Sequence, residues 1–306
     1  MWRDVDQDAR EPERDRPIAG RNGRSETDAE RVSSDPRDVF ARDLDLPHGA
    51  TRERVQLQTR VFELRGSEVR TLATVGAFRV VPENDLRDAE TRPRDLRHLR
   101  ELGLLETRPY VLGKVRTTLV TLTARGRDLL EHGRREHQSS QTFYAGVAKP
   151  RELSHDAHVY RAYLRAADRL VTRGARIRRV VLEEELKRSY QRFLQASNRR
   201  RRDSDGRPDR GVEDIAEWAR AQQLPMDGDH VQFPDVRLEY DDRDDRRAFE
   251  DVEVTTPHYR GAHAAAKARS GFSRYRATGA RLGGMSSSSR GGGRGFEPRL
   301  SEEMLE

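Results

Sequence analysis

The sequence has no cysteine and no long apolar run, and each absence excludes a class of protein. Without cysteine the chain cannot form disulfides, use a thiol nucleophile or bind zinc through thiolates. No apolar stretch approaches the roughly 18 residues that are needed to cross a membrane. Residues 1–20 contain no apolar signal core. We therefore expect a cytoplasmic protein without a membrane partner.

Apolar residues are also scarce, at 34% of the chain, whereas charged residues make up 37%. This balance predicts that part of the chain does not fold. The 59 basic residues only slightly outnumber the 53 acidic ones, so the formal net charge is +6. A polyanionic partner must therefore be inferred from local patches and not from the total charge.

Composition along the 306 residues predicts two folded domains with unfolded flanks. Residues 1–51 mix opposite charges with few apolar residues and are expected to be disordered. Residues 52–137 and 151–279 carry the periodic apolar patterns of folded domains, with residues 138–150 as a polar linker. Residues 280–306 are rich in glycine and serine and are expected to form a flexible tail. The expected fold class is α+β.

Residues 65–133 have the pattern of three short helices, a hairpin and a closing helix. Apolar residues recur at helical spacing after Ser67, and Pro82 and Pro93 stand where a second and a third helix would begin. Gly103 is expected to end the third helix. This is the layout of a winged helix, which usually places its third helix in the DNA major groove.

Basic side chains cluster on the third helix and at the tip of the hairpin. The candidate DNA-binding residues are Arg92, Arg94, Arg97, His98, Arg100, Lys114 and Arg116. Arginine and lysine bind phosphates, and arginine also binds guanine edges, so double-stranded DNA is the expected partner. An arginine-rich face can also be a solvated surface. Helix-hairpin modules also mediate dimerisation, so a homodimer stays open.

The second domain alternates helices and strands, which predicts a mixed α/β arrangement. The predicted elements are a helix from His155, a strand at 177–182, helices at 183–194 and 212–222, strands at 231–240 and 248–255, and a last helix at 261–275. The two later strands are joined by an acidic, turn-prone segment and are expected to pair as a hairpin.

This hairpin can bring two carboxylates together, Asp235 on its first strand and Glu253 on its second. Carboxylate oxygens are ligands for Mg²⁺ or Mn²⁺, and such a metal can activate water for attack on a phosphodiester. Lys267 could stabilise the charge that develops on phosphate. The predicted catalytic residues are therefore Asp235, Glu253 and Lys267, with the two carboxylates as metal ligands. If these carboxylates are ordinary surface residues, no cofactor is expected.

The pair Pro234-Asp235, followed by an acidic triplet on the next strand, resembles the PD-(D/E)XK nuclease fold. The triplet reads Glu253-Val254-Thr255, so lysine is missing from its usual position. Some members of that superfamily take this lysine from the following helix. The resemblance therefore implies that Lys267 substitutes for it.

The order of motifs along residues 60–278 is similar to that of the replication-relaxation family of plasmids and mobile elements. These motifs are the segment 119–126, Ser154-His155-Asp156, Phe233-Pro234-Asp235, and Glu253 with Lys267 and Tyr275. The resemblance implies a DNA-binding winged helix joined to a nuclease-like domain that acts in replication, relaxation or mobilisation, beside replication or relaxase proteins. It leaves open a second interpretation, a non-catalytic transcriptional regulator or accessory factor. Its degenerate nuclease fold would then serve for dimerisation or partner binding.

Several other residues have more than one interpretation. His155 could be a metal ligand, a base or a helix cap. Glu183, Glu184 and Glu185 could add an acidic residue to the site or form a solvated face. His258 and Tyr259 could contact nucleic acid or form a turn. The nine histidines show no zinc spacing.

Overall fold

The protein combines α-helices and β-sheets, as the α+β prediction requires. The computed structural model describes residues 37–88, 91–112, 114–135, 141–147, 150–196, 210–255, 267 and 269–277. None of the helices within these ranges combines the length and the apolar character needed to cross a membrane.

The first half of the described chain packs helices around a small antiparallel sheet. Its elements are α1 (Asp38–Ala41), β1 (Glu53–Leu57), β2 (Arg60–Leu64), α2 (Gly66–Phe78), β3 (Val80–Pro82), α3 (Glu83–Asp88), α4 (Pro93–Glu101), β4 (Leu105–Leu112), β5 (Val115–Leu122) and α5 (Ala124–His132). The sheet order is β3-β5-β4, with both pairs antiparallel. Strands β1 and β2 form a separate hairpin, which the sequence did not predict.

Local sequence explains the ends of these helices. Glu68 accepts a hydrogen bond from the Arg65 N–H at the start of α2, and Thr123 accepts one from the Gly126 N–H at the start of α5. Gly103 follows α4 with φ +68°, a conformation that glycine adopts without strain. Pro82 does not begin the second helix as predicted. It ends β3, an edge strand, where a missing N–H is tolerated.

The second half is built on a four-stranded sheet. Its elements are α6 (Leu153–Thr172), β6 (Arg176–Leu182), α7 (Glu183–Leu194), α8 (Val212–Ala221), β7 (Met226–Asp227), β8 (His230–Val231), β9 (Val236–Asp241), β10 (Arg247–Thr255) and β11 (Ser273–Arg276). The sheet order is β11-β10-β9-β6. Strand β11 runs parallel to β10, and the other neighbours are antiparallel. The predicted hairpin therefore forms, from β9 and β10.

Three further predictions of local structure are wrong within the described ranges. Residues 37–51 were expected to be disordered, but Phe40 and Leu44 are buried because α1 packs into the core. The predicted linker is packed as well: Phe143 and Tyr144 are buried. The last helix was expected to reach residue 275, but residues 273–276 form β11 because they pair with β10. Residues 1–36 and 278–306 lie outside the described ranges.

Aromatic side chains from both halves meet in one hydrophobic core. The Phe78 ring, at the end of α2, lies 5.0 Å from the Tyr160 ring and 4.9 Å from the Tyr163 ring of α6, measured between centroids. Phe40 of α1 lies 5.4 Å from Tyr163 in the same way. The described parts of the two predicted domains thus share a core, which places the end of α2 next to the start of the second half.

Candidate functional site

The three predicted catalytic residues line one cavity of about 340 Å³. Asp235 directly precedes β9, Glu253 lies in β10 and Lys267 has a helical backbone. All three are buried. The cavity is lined by Phe78, Arg79, Glu152, His155, Asp156, Val159, Leu182, Glu183, Glu184, Lys187, Asp235, Glu253 and Lys267.

Strand pairing fixes the Asp235 carboxylate. Its Oδ2 accepts a hydrogen bond of 2.7 Å from the Val254 N–H of the neighbouring strand and lies 3.2 Å from His155 Nε2. Burial alone raises the pKa of Asp235. The hydrogen bond and charge of His155, with Lys267 and the Val254 N–H, outweigh burial and lower it below its usual value. Asp235 is therefore a carboxylate anion at neutral pH.

Lys267 is held in the cavity by two hydrogen bonds. Its Nζ donates a hydrogen bond of 2.7 Å to Glu253 Oε2 and one of 2.6 Å to the Phe233 carbonyl oxygen. The same Nζ lies 3.8 Å from Glu183 Oε1. The ammonium group is thus held beside the second carboxylate of the site, although it comes from outside the two strands.

His155 joins the site from the first turn of α6. Its Nε2 faces Asp235, and its Nδ1 lies 3.8 Å from Asp156 Oδ1. Burial lowers the pKa of His155, but the interactions of the imidazole with these two carboxylates outweigh burial and raise it to about 10. In this arrangement His155 is a cationic partner of Asp235.

Four charged lining residues come from α7 and α2 and were not in the predicted catalytic set. Glu183, Glu184 and Lys187 lie at the start of α7, where Lys187 Nζ lies 2.8 Å from Glu183 Oε1. Arg79 comes from the end of α2 in the first half. The acidic run of α7 was a visible signal in the sequence. Nothing in the sequence around Arg79 indicates its position, since that position depends on how the halves pack.

The charges of the cavity suit a divalent cation. Six carboxylates line it, those of Glu152, Asp156, Glu183, Glu184, Asp235 and Glu253. Four cationic side chains line it as well, those of Arg79, His155, Lys187 and Lys267. Oxygen donors of this kind match Mg²⁺ or Mn²⁺. Within the described residues, no three or more acidic or histidine side chains already surround a common point. Asp235 and Glu253 are the ligands that this donor set offers.

The predicted DNA-binding residues are mostly exposed. Exposed side chains are those of Arg92, Arg94, Arg97, Arg100, Lys114 and Arg116. His98 differs from them: its Nδ1 lies 2.9 Å from the buried Glu68 Oε1, which also accepts a hydrogen bond of 2.6 Å from Arg52 Nη2. The structure therefore separates His98 from the arginines, because its ring turns inward to a buried acid.

Helix α4 is anchored by the residues between its arginines. Leu96 and Leu99 are buried in the core, and the buried Asp95 accepts hydrogen bonds from Arg65 and from the Ser67 hydroxyl. These contacts fix the inner side of the helix, so its arginines face outward. His258 and Tyr259 lie outside the described residues. No family model, no curated protein and no solved structure matches the chain.

Proposed function

We propose that the protein binds double-stranded DNA and hydrolyses a phosphodiester bond in the cavity of Asp235, Glu253 and Lys267. The observation that carries this proposal is the buried contact between Lys267 Nζ and Glu253 Oε2, at 2.7 Å, beside Asp235. A carboxylate pair can hold a divalent metal, and an adjacent lysine can stabilise the charge that develops on phosphate during metal-assisted attack.

The arrangement of the first half supports a winged helix. Helices α2, α3 and α4 are followed by the antiparallel strands β4 and β5, and β3 completes the sheet. Helix α4 is the third of this set and carries exposed arginines at 94, 97 and 100. Lys114 is exposed in the turn between β4 and β5, and Arg116 is exposed at the start of β5, in the position of a wing. This half would bind the DNA duplex, with α4 in the major groove.

The second half supports a PD-(D/E)XK-like nuclease core. Helix α6 precedes a sheet in which β9 and β10 are adjacent, and β11 adds to β10 in parallel. Asp235 and Glu253 come from these two central strands, and β10 pairs with β9 as far as Val252 opposite Val236. The acids are therefore neighbours by strand register and not by chance surface proximity.

Each residue of the site has a chemical task in this proposal. A divalent cation held by Asp235 and Glu253 would polarise water and stabilise the charge on phosphate. The Val254 N–H orients Asp235, and Lys267 Nζ places a positive charge beside Glu253. That charge would stabilise the phosphate as negative charge develops on it. His155 keeps Asp235 ionised.

We place this activity in plasmid or mobile-element replication, DNA relaxation or mobilisation, where replication or relaxase proteins would be partners. The support is the combination of an arginine-bearing α4 with a cavity of nuclease type in one chain. A DNA-reading half in such a protein selects the position at which the second half acts.

The test is incubation of supercoiled plasmid with the purified protein and Mg²⁺ or Mn²⁺. The wild type should nick the plasmid, whereas Asp235→Ala and Glu253→Ala should not. Asp244→Ala removes an exposed carboxylate from the same β9–β10 hairpin, outside the cavity, and is the matched control. Equal nicking by all four proteins would show that the activity arises elsewhere.

One observation favours a non-catalytic second candidate, a DNA-binding regulator or accessory factor. Asp235 and Glu253 are already paired with His155 and Lys267, so the cavity can stabilise the fold without a metal. In that case the wild type would bind duplex DNA and leave it intact with every divalent metal. The same plasmid assay, run beside a binding measurement, separates the two candidates.

A further inference from the structure

Arg79 belongs to the first half of the chain but lies at the cavity of the second half. It follows the last residue of α2, and its side chain is only 14% exposed. Its guanidinium lines the cavity together with Asp235, Glu253 and Lys267. The half that carries the exposed arginines of α4 therefore also contributes a cation to the candidate active site.

The backbone of Arg79 is strained. Its φ is +63° and its ψ is −54°, a γ-turn conformation that residues with a side chain rarely adopt. Other described residues with positive φ, such as Gln58 and Asp245, lie in the turns of hairpins. Strain of this kind persists where the surrounding structure enforces it, and it is frequent at functional sites. Glycine would relieve the strain at position 79 but would remove the guanidinium.

The contacts of Arg79 leave its guanidinium available. Its Nε lies 3.8 Å from Asp156 Oδ2, and its Nη1 lies 3.3 Å from Glu184 Oε2. Both distances exceed the roughly 2.7–2.9 Å of a well-formed charged hydrogen bond. Arg161, which also joins the two halves, donates to Asp85 at 2.6 and 3.1 Å. The ion pair between Arg161 and Asp85 therefore holds the halves together. The two acids near Arg79 orient its guanidinium, but their long contacts leave its N–H groups able to donate to another acceptor.

We infer that Arg79 is the phosphate-binding arginine of the cavity, supplied by the DNA-binding half to the phosphate that the other half holds. This rests on the proposed function and adds a residue to it. A guanidinium presents two parallel N–H groups to phosphate oxygens, which a lysine ammonium cannot do. Lys267 contacts Glu253, whereas Arg79 lies beside Asp156 and Glu184, so the two cations would contact the same phosphate group from different sides.

Three variants test this inference. Arg79→Gly removes the guanidinium and relieves the backbone strain, so the variant should fold. Arg79→Lys keeps the positive charge but lacks the two parallel N–H groups of the guanidinium. Arg42→Ala is the matched control: Arg42 also bridges the halves, through its hydrogen bonds to the carbonyl oxygens of Ile177 and Arg178, but it does not line the cavity.

The first readout is binding, measured with Ca²⁺ in place of Mg²⁺ so that turnover is not required. The probes are nicked duplexes with a 5′-phosphate, a 3′-phosphate or no phosphate at the nick. The wild type and Arg42→Ala should prefer one phosphorylated duplex by on the order of tenfold. Arg79→Gly should lose this preference, and intact duplex, which α4 binds, should keep its affinity for every variant.

The second readout is nicking with Mg²⁺. Arg79→Gly should reduce kcat on the order of 100-fold with little change in KM. Added guanidinium ion should restore part of the rate, which would not happen if Arg79 only held the halves together. Arg79→Lys should stay well below the wild type because the ammonium lacks the two parallel N–H groups.

The outcomes separate this inference from the proposed function. If the wild type prefers a phosphorylated nick or cleaves DNA, and Arg79→Gly does the same equally well, the role of Arg79 is overturned and the proposed function stands. If the wild type neither cleaves nor distinguishes the nicked duplexes, both are overturned. Loss of preference in Arg79→Gly with guanidinium rescue of cleavage supports both.

Discussion

The guanidinium of Arg161 donates two hydrogen bonds to the carboxylate of Asp85, and both side chains are buried. Asp85 lies in α3 of the first half, and Arg161 lies in α6 of the second. Removing one partner of a buried ion pair leaves an uncompensated charge, which costs more than the pair contributes. This contact therefore makes the stability of the two halves interdependent.

Arg161→Met should lower the free energy of unfolding by about 3–5 kcal/mol because it removes the cation that donates two hydrogen bonds to the buried Asp85 carboxylate. The double variant Asp85→Leu, Arg161→Met should recover most of this loss, since no buried charge remains. Denaturant unfolding followed by circular dichroism measures both. A single variant as stable as the wild type would mean that the pair is not buried in solution.

Because of the ion pair between His155 and Asp235, the free energy of unfolding should decrease as the pH rises into the alkaline range. The pKa of His155 rises from an ordinary 6.5 to about 10 in the folded protein. A raised pKa contributes stability that is complete below about pH 6.5 and disappears as the pH rises through 10. His155→Gln should therefore cost about 1–2 kcal/mol near pH 7, and the difference from wild type should vanish above pH 10. Urea titrations at pH 6, 8 and 10 test this, and a constant difference would contradict it.

If Lys267 replaces the triplet lysine, a lysine placed at position 255 of the triplet should be able to take over its role. Lys267→Met should reduce nicking on the order of 100-fold. Thr255 shares a strand face with Glu253, so the double variant Thr255→Lys, Lys267→Met should regain part of the activity. Thr255→Ala is the control for loss of the Thr255 hydroxyl, which donates to the Tyr275 carbonyl oxygen. A folded double variant without any recovery would argue that the lysine must approach from the helical side.

Arg94→Ala and Arg97→Ala should each weaken duplex binding roughly tenfold. If these arginines bind phosphates, the slope of log affinity against log salt should become shallower by about 0.9 for each phosphate that a variant no longer neutralises. Fluorescence anisotropy across a salt series measures both quantities. Arg173→Ala removes an exposed arginine after α6 and should change neither. Unchanged affinity for the α4 variants would show that this helix does not touch DNA.

Elements with strong local signals could be predicted from the sequence. Helix α7 begins and ends where its periodicity places it, and Gly103 follows the end of α4 as predicted. The hairpin of β9 and β10 was visible through its acidic turn. Strand β11 was not, because a short edge strand in a parallel pair is determined by its distant partner and not by its own residues.

The residues of the candidate site also fall into two groups, those that the sequence predicts and those that it does not. The common location of Asp235, Glu253 and Lys267 in one cavity was predicted from the sequence, because the motif places the two acids on adjacent strands and Lys267 follows them. The pairing of His155 with Asp235 and the arrival of Arg79 depend on how α6 and α2 pack against the sheet. Tertiary contacts of this kind leave no periodic trace in the sequence.

The segment between the two halves is fastened at several points. Gln141 exchanges hydrogen bonds with both backbone groups of Val180 in β6, and the Tyr144 N–H donates to the Gly76 carbonyl oxygen in α2. Under the proposed function, α4 and the cavity then stand at a set spacing and cannot swing apart as tethered domains do. The spacing between α4 and the cavity would then set the cleavage position. The bond that is cut would lie a constant number of base pairs from the bound site, whatever sequence lies between them.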